Sequence, residues 1–132
     1  MLMKDWNMKV IMLIKKYNGK GYDENGNIIY ELKNGTGKGK EYNDYDGKLI
    51  FEGEYLNGLR NGKGKEYYEG KLLFESEFLN GKRNGKGKEY YFDKLKYDGE
   101  YLNGKKHGKG KFYKFGKLIY EGIFENDDAC KK

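Results

Sequence analysis

Residues 49–68 read "LIFEGEYLNGLRNGKGKEYY", residues 72–91 read "LLFESEFLNGKRNGKGKEYY", and from Leu95 the chain begins again as "LKYDGEYLNGKKHGKGKFYK". Leu49, Leu72, Leu95 and Leu118 stand 23 residues apart, and so do Tyr55, Phe78, Tyr101 and Phe124. A fixed period of this size marks a repeat architecture, in which each unit buries its apolar face only against its neighbours. Inside the unit Leu49, Phe51, Gly53 and Tyr55 share one parity while Ile50, Glu52 and Glu54 share the other, and a period of two means strand. The run ends in "LNGLRNG", where Asn-Gly supplies the positive φ of a tight hairpin, and a second strand, "KGKEYY", follows. Each unit therefore reads as a β-hairpin joined to the next by a second short turn. The expected fold is all-β, an elongated, open-ended, single-sheet antiparallel meander of about ten strands in sequential order. Only residues 5–16 have a period that also admits a helix.

A first turn centred on Gly58 and Leu59 sets the register. It places Glu54 against Lys63 and Glu52 against Lys65 on one surface, as opposite charges on neighbouring strands. On the other surface Tyr55 meets Gly62 and Gly53 meets Gly64, and pairing through the second turn brings Phe78 beside Gly62. A ring can lie flat over a strand only where glycine leaves the backbone bare. The glycines Gly62, Gly85 and Gly108 are thus expected to make room for Tyr55, Phe78 and Tyr101.

Composition agrees with a slender object. The chain has 132 residues, 36% hydrophobic and 36% charged, with a mean hydropathy of −1.07, so ordinary core material is scarce. Fourteen Tyr and seven Phe at recurring positions supply a core instead, because rings bury large areas at low rotamer cost. The apolar run near the N-terminus is too short to span a bilayer and leads into lysines and repeat sequence, so neither a signal peptide nor a membrane helix is expected. The single Cys130 forms no internal disulfide and fits a reducing, cytoplasmic setting. The net charge of +6 is concentrated, with seven bases against two acids in residues 95–117. A nucleic-acid binder spreads its bases along several repeats, which disfavours that partner.

Phe51-x-Gly53-x-Tyr55-x-x-Gly58-x-x-x-Gly62-x-Gly64 resembles the MORN repeat, the membrane occupation and recognition nexus, and Tyr97-x-Gly99-x-Tyr101-x-x-Gly104-x-x-x-Gly108-x-Gly110 repeats the match. The middle copy carries Phe74, Phe78, Gly85 and Gly87 but has Ser76 where the pattern has glycine. Tyr or Phe in place of the family's frequent Trp is similar to a bacterial-type variant of these repeats. On this reading residues 1–17 are an N-terminal capping segment and 18–125 the repeat array. The array holds strong copies at about 49–71, 72–94 and 95–117, degenerate ones at about 18–27 and 28–48, and a terminal half repeat at 118–125. Residues 126–132 are read as a flexible tail. The resemblance implies a scaffold, a self-association module or a localisation module. It also allows an accessory subunit of an enzyme on another chain, or an antitoxin-like binding protein.

No catalytic constellation is visible, and no cofactor or metal site is expected. His107 occupies the turn position held by Asn61 and Asn84 in the sister units, and the recurring carboxylates point to structure, since an acid/base pair would be placed once. Two candidate surfaces remain. Lys105, Lys106, Lys109, Lys111, Lys114 and Lys117 lie among aromatics, as an anionic membrane surface or an acidic partner would favour. Leu118, Tyr120, Gly122 and Phe124 form a last strand with no Gly-Lys-Gly partner strand after it. Such an edge is a template for pairing with a second copy in a homodimer, or with a protein partner that the sequence does not identify.

Overall fold

The computed structural model describes residues 19–22, 25–26, 28–33, 35–43 and 45–131. The capping segment 1–17 and the ambiguous stretch 5–16 lie outside these residues. The strands are β1 (Gly19–Tyr22), β2 (Ile28–Lys33), β3 (Thr36–Tyr42), β4 (Leu49–Leu56), β5 (Leu59–Tyr68), β6 (Lys71–Leu79), β7 (Lys82–Tyr91), β8 (Lys94–Leu102), β9 (Lys105–Lys114), β10 (Lys117–Glu125) and β11 (Asp128–Ala129). They form one 11-stranded sheet whose spatial order is the sequence order. Every neighbouring pair is antiparallel, as hairpin after hairpin requires. Among the described residues no helix is long and apolar enough to cross a membrane.

The first turn sits one residue earlier than expected, on Asn57 and Gly58, both at positive φ (52° and 81°), with Leu56 paired to Leu59. Two left-handed central residues define the turn type whose twist matches that of the flanking strands. Asn80–Gly81, Asn103–Gly104 and Asn126–Asp127 repeat it. Each of these turns is stitched to a preceding hairpin. The amides of Gly58, Gly81, Gly104 and Asp127 donate to the carbonyls of Gly35, Arg60, Arg83 and Lys106 at 2.8–3.0 Å. Asn126 thus continues the series of Asn57, Asn80 and Asn103, and the segment expected as a flexible tail turns back in phase, with Ala129 pairing to Phe124.

That turn shifts the register near its tip. Gly53 pairs with Gly64 and Glu52 with Lys65 as expected, but Tyr55 pairs with Arg60, not Gly62. Glu54 alone spans residues 61–63 of β5, a bulge that Gly62 accommodates at φ 98°. A bulge leaves a ladder amide without a backbone partner, and the carboxylate supplies one. Glu54 accepts the Lys63 amide at 2.6 Å, and Glu77 accepts that of Lys86 at 2.8 Å. The same bond joins Glu100 to Lys109. These carboxylates recur because every bulge needs one.

The correction extends to the glycines. A methyl group at Gly62 or Gly85 would meet the Glu54 or Glu77 carboxylate, not a ring. The rings lie on the other glycine of each pair. A methyl at Gly64 would stand 2.6 Å from the Phe51 ring and 3.0 Å from Phe78, and one at Gly87 would stand 2.9 Å from Tyr101. Phe78 does pair with Gly62 along the backbone, so that part of the expected register holds. Buried Phe51, Tyr55, Phe78, Tyr97, Tyr101 and Phe124, with Leu32, are the core of the described residues.

Three substitutions separate these roles. Gly64→Ala is expected to cost about 1–3 kcal/mol by overpacking against Phe51 and Phe78. Glu77→Ala should cost about 0.5–1.5 kcal/mol, because it removes the acceptor of the Lys86 amide. Glu77→Gln should recover most of that loss, since it keeps an acceptor. Urea denaturation of the three variants measures both effects.

Candidate interaction surfaces

The two faces of the sheet are built differently. On the ring face, aromatic pairs meet edge to face with centroids 5.0–5.7 Å apart: Phe51 with Tyr55 and Phe78, Tyr97 with Tyr101 and Phe124, and Tyr120 with Phe124. Ser76 interrupts this series. Its side chain stands where Gly53 and Gly99 let Phe51 and Tyr97 lie down, so Phe74 is only half-buried, and among the described residues no ring contact joins it to Phe78. The core accordingly divides into one cluster around Phe51 and another around Tyr97.

Half-buried charges roof the rings. Arg60 reaches both oxygens of Glu41 (2.9 and 3.1 Å) and Glu66 (3.1 Å) while lying 4.0 Å from the Phe51 ring centre. Arg83 holds Glu66 at 2.7 Å and lies 3.3 Å from the centre of Phe74. In the next unit the position belongs to Lys106, which pairs with Glu89 at 3.1 Å. Burial alone would lower the Arg60 pKa, but Glu41 raises it above the ordinary value. The Tyr55 hydroxyl donates to Glu41 at 2.5 Å, and burial together with that carboxylate pushes its pKa up. Tyr101 lies in the corresponding place with its hydroxyl buried and without a partner.

The opposite face is an alternating ladder of charge. Lys40, Glu52, Lys65, Glu75, Lys88, Asp98, Lys111 and Glu121 are successive cross-strand neighbours from β3 to β10. Lys65 reaches Glu75 at 3.7 Å and Lys111 reaches Glu121 at 3.9 Å. A shallow groove of about 970 Å³ runs along this face, lined by Lys38, Lys40, Glu52, Lys63 and Lys86 among others. Its walls carry both signs, so it offers no single-sign field to a charged ligand. No group of three or more His, Cys, Asp or Glu among the described residues is arranged to hold a metal ion.

The six candidate lysines do not come together. Lys106 belongs to the ring face, Lys109 and Lys111 to the opposite, charged face, and Lys105 to the Asn103–Gly104 turn. Lys114 and Lys117 flank the Phe115–Gly116 turn at the other edge of the sheet. The candidate edge strand is also altered. Phe124 is buried and covered by β11, and the Tyr120 hydroxyl donates to the Ile123 and Cys130 carbonyls at 3.1 and 3.3 Å. Leu118, Tyr120 and Gly122 have no strand on their outer flank among the described residues.

A further surface went unread in the sequence. The turns that link one unit to the next expose Tyr45, Tyr68, Tyr91, Phe92 and Phe115, which are 63–93% accessible. Phe92 and Phe115 hold positive φ, which is strained for a bulky side chain. Beside them Lys48 pairs with Glu69 at 2.7 Å and Lys71 with Asp93 at 3.0 Å. The spacing of Lys48, Lys71, Lys94 and Lys117 was the available signal.

A family model described as the MORN repeat matches residues 51–71, 74–95 and 97–114. A search of curated proteins finds no match. The three matched segments coincide with the units built from the ring strands β4, β6 and β8 and their hairpin partners. Three substitutions test how this face is held. Tyr55→Phe should cost about 1–3 kcal/mol by removing a bond to a charged acceptor, while Tyr101→Phe should be neutral or stabilising, because it removes an unpaired buried hydroxyl. Ser76→Gly should raise the melting temperature by letting Phe74 settle onto the sheet. Burial pushes Tyr97 up to about 12. The fold therefore favours the protonated phenol, and that stability is complete below the unfolded value near 10 and is lost as pH rises toward 12. Thermal melts between pH 8 and 11.5 should show a flat region and then a decline.

Proposed function

We propose that this chain, which carries three MORN repeats within residues 51–114, is a non-catalytic scaffold that works by binding a protein partner or a second copy of itself. MORN repeats occur in proteins that engage other proteins or lipid membranes, and the family fold is a non-enzymatic repeat. The observation that carries the reading is the internal use of the polar groups. The recurring carboxylates are spent on bulge amides, on the arginine roof and on the charge ladder, so the repeat's chemistry goes into its own architecture. What is left over lies at edges, as the outer flank of β10 and the aromatic turns.

Self-association through that flank is the reading the fold favours over pairing by the ring face, whose aromatics are already buried. Two copies pairing antiparallel about Tyr120 would set Leu118 across from Gly122 and Ile119 across from Glu121, with no like charges opposed. An anionic-membrane adaptor has weaker support, since the six lysines are divided between the two faces and the two rims of turns. A reducing, cytoplasmic setting fits the single exposed Cys130.

Sedimentation equilibrium and affinity capture from the native cell test the scaffold together. A mass above 15.5 kDa in the micromolar range, or a partner recovered at stoichiometric amounts, is expected. A mass of 15.5 kDa throughout with no partner recovered would overturn the reading. If the dimer survives deletion of residues 118–132, its interface is not the β10 flank.

A further inference from the structure

We propose that the inter-unit turn edge around Lys94, Lys114 and Lys117 is a docking site for an extended segment of a partner protein that carries acidic residues three positions apart. The proposal rests on the scaffold reading and gives its partner a chemistry. Along this edge the molecule shows how its lysines are satisfied. Lys48, just ahead of β4, takes Glu69 from the next turn, and Lys71 at the head of β6 takes Asp93 from the turn after that. Lys94, at the head of β8, comes next in the series, but the turn it faces is Phe115–Gly116, which has no carboxylate. Among the described residues no acid pairs with Lys94, Lys114 or Lys117, and all three are exposed. Lys114 and Lys117 are moreover directly opposed across that turn, a like-charge pair that an external anion would relieve.

The neighbours of these lysines are apolar. Phe115 is 82% exposed with the Lys114 ammonium 5.8 Å from its ring centre, and Tyr91 and Phe92 stack edge to face at 4.6 Å while 63% and 64% exposed. Phe92 and Phe115 occupy the first left-handed position of their turns at φ 45° and 52°, where asparagine would sit without strain. Strain kept in an exposed aromatic residue points to a use for its ring.

Geometry selects the ligand's shape. Lys94 and Lys117 begin strands two apart in the sheet, roughly 9.5 Å. A polyproline-type segment advances about 9.3 Å in three residues and returns to the same face, so carboxylates at positions i and i+3 meet both lysines while the intervening residues face the rings. An anionic bilayer is the poorer fit, because three lysines on a narrow edge offer it no plane.

Fluorescence anisotropy tests the assignment, with a labelled peptide of four Glu-Pro-Pro triplets as probe against the full chain. A control peptide has the same residues with its glutamates contiguous, and vesicles of phosphatidylcholine with phosphatidylserine are run alongside. The spaced peptide is expected to bind more tightly than the control. Lys94→Glu combined with Lys117→Glu should weaken it by about tenfold or more, and Lys105→Glu at the opposite edge should leave it unchanged. Phe115→Asn should weaken binding while raising the melting temperature, which separates the ring's role in binding from folding. Equal binding of the two peptides, indifference to the charge reversal, or binding to vesicles alone overturns the proposal. Affinity capture with the charge-reversed chain keeps the two readings apart. Partners recovered as well by the variant as by wild type leave the scaffold standing without this site, whereas recovery by neither overturns this site, and together with a mass of 15.5 kDa throughout it overturns the scaffold as well.

Discussion

A ring lying flat on a bare glycine is the contact on which everything else in this molecule depends. A sheet normally buries its apolar face against a second layer, and among the described residues this chain has none. The core must therefore be made within the thickness of one sheet, by laying each aromatic along the strands beside it. That requires Gly53 opposite Gly64 and Gly99 opposite Gly110, with the Phe51 and Tyr97 rings over them. The bulge, the carboxylate that seals it and the arginine that roofs the ring fit around that geometry. The sensitivity of the arrangement is visible at Ser76, where one side-chain oxygen lifts a ring and divides the core in two.

The cost of such a thin core is met along the sheet's width. Ion pairs on an exposed strand surface contribute little singly, but here each carboxylate and each ammonium between the two ends of the ladder has a neighbour of opposite sign on both sides. The turns add a second transverse connection, each amide reaching a carbonyl of an earlier hairpin. Contacts in this fold run almost wholly between adjacent strands, so stability adds up unit by unit as in other linear arrays.

Much of this was legible in the sequence. The period of Leu49, Leu72, Leu95 and Leu118 and the parity of Phe51, Gly53 and Tyr55 were enough for the all-β meander and its strand order. Glu52 against Lys65 and Gly53 against Gly64 were also readable, because away from the tip the register follows from the hairpin. The turn sits on Asn57 and Gly58, the Asn-Gly step that supplies positive φ, so centring it on Gly58 and Leu59 put it one residue late, and a bulge is invisible to any count that assumes one residue opposite one. So the glycine of Gly62 was assigned to a ring, and Glu54 looked like a partner for a lysine side chain when it binds a backbone amide. The phase of Asn126 with Asn103 did announce the last turn, but Asp127 in place of glycine hid it. The lysine cluster misled for a simpler reason. Nearness in sequence is not nearness in a sheet, where residues 105 and 117 belong to opposite edges.

Because strand order equals sequence order, β1 and β11 lie on opposite margins of the sheet. A pull between those margins acts across the strands, so the backbone ladders open one hairpin at a time in place of shearing together. Ring packing, ion-pair rows and turn stitches all lie along that line and give way in the same sequence. Each released unit of 23 residues frees up to about 75 Å of extended chain. Anchored at both margins, the molecule would behave as a tether that yields in equal increments and shortens again as each hairpin re-forms.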